Sequence, residues 1–152
     1  LIATSASYES LYTSLKLKKF YKIFSYLKKK LDYKNKFYPF PNPHIRTANF
    51  LIKGSDFLKF IRNKKIFNKE EAWQIESGKN SLTNFFKQKN YKIFIVNSDG
   101  DRFTLNNCKF SETFNYKNQK KCIILDKHTK KYIKSANFKK KLFEFNTWGE
   151  KR

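Results

Sequence analysis

The fold is decided by one stretch, Tyr91-Lys92-Ile93-Phe94-Ile95-Val96-Asn97-Ser98-Asp99-Gly100-Asp101-Arg102-Phe103-Thr104-Leu105. An apolar, β-branched run meets Asp-Gly, and apolar and polar residues then alternate, which predicts a β-hairpin. We expect Asp99 and Gly100 at the centre of a type I′ turn, where both residues need a positive φ.

The chain after the hairpin contains a second strand-like run and a basic, aromatic end. Lys121–Leu125 is expected to form a third strand, Asp126–Thr129 a turn, and Tyr132-Ile133 a short returning strand. Ser135 is expected to cap a final basic helix that reaches Phe145.

The chain before the hairpin begins with apolar residues at helical spacing from Tyr8 to Leu31, with lysines, Lys18 among them, on the other face. This pattern predicts a basic amphipathic helix that could lie on RNA, on an acidic membrane or in the groove of a partner. All three prolines lie between residues 37 and 44, which predicts an extended linker with an exposed His44.

Three short helices are predicted between the linker and the hairpin. Ser55 is expected to cap a helix from Asp56 to Arg62. Asn68 opens the next with Glu71 at capping-box spacing, and Gly78 ends it. The third runs over residues 81–89. At Asn90 the apolar period changes from helical to alternating.

The predicted fold class is therefore α+β, with an N-terminal basic amphipathic helix and short helices, then a small antiparallel β-hairpin sheet and a C-terminal basic helix or tail. Residues 1–36 are expected to be a basic helical extension, 37–90 a proline-containing linker with short helices, and 91–152 a small β-hairpin domain with a basic tail.

The charge of the chain indicates a polyanionic partner. Its 152 residues include 34 basic and 12 acidic ones, a net charge of +22, and this self-repulsion calls for neutralisation. The predicted segments 1–36, 37–90 and 91–152 carry net charges of +7, +6 and +9, so no acidic segment balances the others. Aromatic residues make up 18%, too many for a disordered basic tail. An A/T-rich coding genome would account for part of the lysine excess.

Basic and aromatic residues also interleave, and this pattern favours RNA. Lysines supply sequence-independent phosphate contacts, and rings stack on unpaired bases. Only four arginines are present, so the bidentate base contacts of a sequence-specific DNA binder are scarce. The candidate RNA-binding residues are Lys16, Lys19, Lys22, Lys28, Lys29, Lys30, Lys34, Lys36, Arg46, Lys120, Lys121, Lys130, Lys131, Lys139, Lys140 and Lys141.

Motifs for catalysis and metal binding are not found in the sequence. Cys108, Cys122 and His128 have no metal-site spacing, and nothing brings His44 and His128 together as an acid–base pair. We expect no enzyme, no metal, no cofactor and no small-molecule substrate. Two cysteines indicate a reducing compartment, and no apolar run is long enough to cross a membrane. The chain has no Met and begins at Leu1, which suggests removal of an organellar transit peptide, although a trimmed chain would begin in the same way.

Three short segments resemble a known family. Ile95–Thr104 is similar to the strand, Ser/Thr-Asp-Gly turn and strand of the bacterial-type large-subunit ribosomal protein thirty-one family, in its zinc-free form with mitochondrial relatives. Leu125–Tyr132 resembles its Leu-Asp segment leading to an aromatic residue, and Phe138–Phe143 its basic C-terminal end. The family's His-Pro-aromatic and Gly-Arg motifs are missing. The resemblance implies a place at the central protuberance of the large subunit, with residues 1–90 as a lineage-specific extension.

The sequence thus leads to the hypothesis of a structural ribosomal protein in the mitochondrial matrix, in the large subunit, that binds rRNA and neighbouring ribosomal proteins. Two alternatives stay open. One is a basic accessory subunit of a mitochondrial respiratory membrane complex, which would use the N-terminal helix on acidic lipid. The other is a nucleoid DNA-binding protein, which would need a helix that enters a groove.

Overall fold

The hairpin lies at one edge of a four-stranded sheet in the computed structural model, which describes residues 1–17 and 19–149. The strands are β1 (Ile2–Ala3), β2 (Ala6–Ser7), β3 (His44–Ile45), β4 (Phe50–Leu51), β5 (Phe94–Val96) and β6 (Arg102–Thr104). The strand order is β4-β1-β5-β6, and β2 and β3 form a separate antiparallel pair. Strand β1 runs antiparallel to β4 and parallel to β5.

Helices accompany the two small sheets of the described residues, and the predicted α+β class is confirmed. The same residues form three short 3-10 turns, at residues 20–22, 108–111 and 117–119. The α-helices of the described residues are α1 (Leu11–Ser14), α2 (Ile23–Lys36), α3 (Gly54–Ile61), α4 (Lys69–Ser77), α5 (Leu82–Gln88), α6 (Lys127–Ile133) and α7 (Asn137–Trp148).

The hydrophobic core lies between the sheets and helix α5. Ile95 of the hairpin, Ile45 of β3 and the helix residues Leu82 and Phe86 are completely buried, and Ala3 of β1 packs with them. Each large apolar side chain removed from water in this way contributes about 1.5–3 kcal/mol. The predicted hairpin therefore belongs to the centre of the fold.

The hairpin is confirmed, but its turn differs from the prediction. The register pairs Val96 with Arg102, which leaves a loop of residues 97–101. Within this fully described loop only Gly100 has a positive φ, at +84°, so the type I′ assignment is wrong. The Asn97 side-chain oxygen accepts the N–H groups of Asp99 and Asp101 at 3.1 and 3.0 Å, and this local bonding stabilises a longer loop.

The first seven residues contain two short strands, β1 and β2. Strand β1 lies between β4 and β5, and the Phe94 N–H donates to the Leu1 carbonyl at 3.0 Å. The four-stranded sheet thus takes strands from all three segments that the sequence suggested. Residues 150–152 of the last segment lie outside the described residues.

The single helix predicted from Tyr8 to Leu31 is wrong. Helix α1 ends after four residues, Leu15 is extended, and α2 begins at Ile23. The break lets α1 contact α2 while Tyr8 remains bound to the body, where its hydroxyl donates to the Leu105 carbonyl at 2.7 Å. Lys18, expected on the basic face, lies outside the described residues.

The C-terminal strands are also wrong predictions. Residues 121–125 form turns and bends, and Ile123, Ile124 and Leu125 are each about half exposed. Residues 126–129, expected as a turn, open α6, because the Asp126 side chain accepts the Thr129 N–H at 2.8 Å as an N-cap. Tyr132-Ile133 accordingly ends a helix.

The final helix is present, with boundaries that differ from the expected ones. Helix α7 follows Ala136 rather than a Ser135 cap and continues past Phe145 to Trp148. Trp148 is buried, and its Nε1 donates to the Asn115 carbonyl at 3.0 Å. This bond secures the C-terminal end of the helix to the body.

The helices of the middle segment follow the prediction closely. Asn68 and Glu71 form the reciprocal capping box of α4, and Gly78 ends it. Ser81 caps α5 through the Asn84 N–H at 3.4 Å. Helix α3 begins at Gly54, so Ser55 is not its cap. The proline segment is extended, but its Phe37 is fully buried, so it packs against the body.

Candidate nucleic-acid interface

The predicted RNA-binding residues fall into three groups. Seven lysines precede or lie on α2, five exposed lysines lie near α6 and α7, and the remaining four are held by contacts within the protein. The first group is Lys16, Lys19, Lys22, Lys28, Lys29, Lys30 and Lys34, all exposed and none in an ion pair with a described residue.

Helix α2 exposes these lysines because only one side of it packs. Tyr33 is its one buried residue, and its ring lies 5.2 Å from that of Phe37. Lys36 completes the attachment, since its Nζ lies 2.8 Å from the Glu70 carboxylate of α4; within α2 it also lies 2.7 Å from the Asp32 carboxylate. These contacts fix the C-terminal end of α2 and leave its other sides in solvent.

Aromatic rings stand among these lysines and are also exposed. Phe20, Tyr21 and Phe24 are 83%, 73% and 84% accessible. Lys19 and Lys22 place their Nζ atoms 5.6 and 5.9 Å from the Tyr21 ring centre. The segment therefore offers exposed rings and cationic groups within one short surface.

An apolar stripe runs along the same helix. Phe24, Leu27 and Leu31 follow each other at spacings of three and four residues, so they share a face roughly opposite the buried Tyr33. Leu27 and Leu31 are 48% and 65% exposed. The described residues thus leave much of this stripe exposed.

Four predicted contact residues serve the fold instead of facing solvent freely. Arg46 is buried; its guanidinium pairs with Asp126 at 2.6 Å and stacks 3.9 Å from the Phe114 ring centre. Lys121 pairs with Asp99 of the hairpin loop at 2.8 Å. The two others are Lys36, described above, and Lys140, which donates to the Asn118 side-chain oxygen at 2.7 Å.

The second group, of five exposed lysines, lies near the C-terminal helices. Helices α6 and α7 pack together, and the Tyr132 hydroxyl donates to the Glu144 carboxylate. Phe138, at the start of α7, is 76% exposed beside them. The exposed lysines of this group are Lys120, Lys130, Lys131, Lys139 and Lys141.

A cavity of about 580 Å³ was not expected from the sequence. Its walls include the rings of Phe40, Trp73, Phe114 and Phe145, and Glu76 is among its polar groups. Burial raises the pKa of Glu76, and the nearby Arg46 opposes that effect. The walls come from segments far apart in the chain, so no local pattern signals the cavity.

His44, expected to be exposed, is buried in β3 and lines this cavity. Its Nδ1 lies 2.7 Å from the Asn42 carbonyl oxygen. Burial, followed by the charges of Arg46 and Lys87, lowers the pKa of His44 to about 4. The imidazole is therefore neutral at pH 7.

Other kinds of site are not apparent in the part of the chain that the structure describes. No three His, Cys, Asp or Glu side chains of these residues are grouped to hold a metal ion. None of the described helices combines the length and the apolar character of a membrane span. Comparisons with models of known protein families, with curated proteins and with solved structures find no match.

Proposed function

We propose that this chain is a structural constituent of a mitochondrial ribosome, in its large subunit, where it binds rRNA and neighbouring ribosomal proteins. The observation that carries the proposal is the surface of residues 16, 17 and 19–34, with seven exposed lysines that have no acidic partner among the described residues and three exposed aromatic rings. The mitochondrial matrix as location rests on the lysine-rich composition and on the family resemblance of the hairpin.

RNA fits this surface better than duplex DNA does. Lysine ammonium groups neutralise phosphates without reading sequence, and each neutralised phosphate releases counterions. Phe20, Tyr21 and Phe24 are open to stack on bases, which are accessible in the loops and bulges of structured RNA and covered in a duplex. None of these rings has a role in the core.

Neighbouring proteins would account for the apolar side chains that remain exposed. Phe67 and Leu58 are 81% and 63% accessible. Large exposed apolar side chains are often covered in an assembly. A particle made of rRNA and proteins supplies both kinds of contact.

Gradient sedimentation of a mitochondrial lysate tests the proposal. We expect the protein to migrate with large-subunit particles and to move to the top of the gradient after RNase digestion. A variant with Lys28, Lys29 and Lys30 changed to Gln should associate less. A stable, RNA-free monomer at the top of the untreated gradient would contradict the proposal, and tighter binding to duplex DNA than to an rRNA fragment at equal salt would favour a nucleoid protein.

The apolar stripe of α2 favours one second candidate, an accessory subunit of a mitochondrial respiratory membrane complex. Phe24, Leu27 and Leu31 are flanked by lysines, as in helices that lie in the interface of an anionic bilayer. Flotation with cardiolipin-containing vesicles that Leu31→Lys abolishes, together with salt-resistant co-purification with a membrane complex free of RNA, would support this function over the ribosomal one.

A further inference from the structure

The cavity described above has the size and lining of a ligand site. Its volume of about 580 Å³ lies within the range of roughly 300–1,000 Å³ that small-molecule sites occupy. Its wall includes two rings, from Phe40 in the proline segment and Trp73 on α4. A flat, apolar group could stack on these faces.

Glu76 gives the cavity an acceptor whose bonding is incomplete. One carboxylate oxygen, Oε1, accepts the Thr47 N–H at 3.3 Å, and no further hydrogen bond or ion pair to Glu76 occurs within the described residues. The adjacent Arg46 is already paired with Asp126. A carboxylate held mostly out of water is stabilised by additional donors, which a ligand could bring.

His44 adds a second acceptor to the wall. A carbonyl oxygen can only accept, so Nδ1 carries the proton that is donated to Asn42, and Nε2 is left with its lone pair. Glu76 and His44 are therefore both suited to a ligand that donates hydrogen bonds.

We propose that this cavity binds a nucleobase with an exocyclic amino group, extruded from RNA, which stacks on the rings and donates to Glu76. The proposal rests on the RNA-binding function proposed above. Extruded bases are commonly held in this way, by aromatic faces and by hydrogen bonds to their edges. Lys16 also lines the cavity and is exposed, in reach of the phosphate of such a nucleotide.

A guanidinium group from a basic protein would also donate to Glu76, but the charge of the chain opposes it. An approaching basic segment is repelled by a net charge of +22, whereas the phosphates of RNA are attracted and the base itself is neutral. An RNA base is thus the occupant that agrees with both the cavity and its surroundings.

Cytidine and uridine 5′-monophosphates provide the sharpest probe, because they differ at position 4, where cytosine has an amino donor and uracil an acceptor. Trp73 reports on binding through its fluorescence, while Trp148 is buried and does not line the cavity. We expect cytidine monophosphate to quench Trp73 and to bind at least about 5-fold more tightly than uridine monophosphate, as one good base contact implies.

Glu76→Gln should reduce this preference to within about 2-fold, because an amide can donate as well as accept. Its Oε1 can still accept the Thr47 N–H. Glu112→Gln, which changes the same charge beside Lys117, is the matched control and should keep the preference.

Three results would overturn the inference: equal affinity for the two nucleotides in the unaltered protein, no quenching by either, or tighter binding of N-acetyl-arginine amide than of cytidine monophosphate. Affinity for an rRNA fragment is measured in parallel. If the protein binds the rRNA fragment but not the nucleotides, the inference fails and the proposed function stands. If the protein binds neither the nucleotides nor the fragment, the proposed function fails as well.

Discussion

Arg46 carries a positive charge that the fold itself uses. Its guanidinium pairs with Asp126 at 2.6 Å, stacks on Phe114 and is only 10% exposed. Asp126 also caps α6, so the pair joins β3 to the C-terminal half. The sequence predicted an RNA contact at Arg46 because it shows the charge of the side chain and does not show its burial.

We predict that Arg46→Met lowers the free energy of unfolding by about 2 kcal/mol, less than for a fully buried pair because Asp126 is partly exposed. Urea titration of Arg46→Met, Asp126→Asn and the double variant measures the coupling, and Asn preserves the cap. Additive losses within about 0.5 kcal/mol would mean that the ion pair does not stabilise the fold.

His44 predicts a dependence of stability on pH. Burial lowers its pKa from 6.5 to about 4. Between these two pH values His44 is therefore protonated in the unfolded chain and neutral in the folded protein. Its contribution is complete above pH 6.5 and is lost as pH falls toward 4, by as much as about 3 kcal/mol at 1.36 kcal/mol per pKa unit.

The raised pKa of Glu76 acts in the opposite direction, since the folded state takes up that proton first. Chemical denaturation of the unaltered protein and of His44→Gln between pH 7 and 4 separates the two groups. The difference between the curves should grow as pH falls, and parallel curves would show that His44 is not buried in solution.

At the scale of elements, the exposed lysines of α2 differ from the lysines that pair with carboxylates elsewhere in the protein. Lys28, Lys29 and Lys30 are exposed and have no acidic partner among the described residues. Changing all three to Gln should reduce the slope of log affinity for rRNA against log salt concentration by about 2–3, with little loss of stability.

The matched control changes Lys121, Lys59 and Lys117 to Gln, which alters the charge equally. These lysines lie 2.8, 3.2 and 3.1 Å from carboxylates of the protein, so fewer of them are available to phosphates. Equal changes of slope in the two triple variants would mean that binding follows net charge and that α2 is not a preferred surface.

Elements with local chemistry could be predicted from the sequence, and elements that depend on distant partners could not. The α4 capping box and the hairpin each depend on a few neighbouring residues, and both are present. Strand β1 has only two residues and pairs with β5, about ninety residues away, so no periodicity reveals it. Residues 126–129 resembled a turn because Asp is common both in turns and at helix N-caps. The cavity required the whole fold.

At the scale of the whole molecule, a small fold carries a net charge of +22. Seven ion pairs are present among the described residues. Most of them are partly exposed, and an exposed ion pair contributes little to the free energy of unfolding. Repulsion between the many other lysines opposes the compact state. The core packs well, but the charge needs external neutralisation.

This imbalance predicts that salt stabilises the isolated protein. Raising NaCl from about 0.05 M to about 0.5 M shortens the screening length to a few ångströms, which weakens the repulsion more than the few ion pairs. The midpoint of thermal unfolding, followed by circular dichroism, should rise by several degrees. Micromolar single-stranded RNA at low salt should raise it further if RNA binds the folded surface more tightly than the unfolded chain. Lys28, Lys29 and Lys30 changed to Gln should start from a higher midpoint at low salt and gain less from either addition. A midpoint that falls as NaCl is added would mean that the ion pairs outweigh the repulsion.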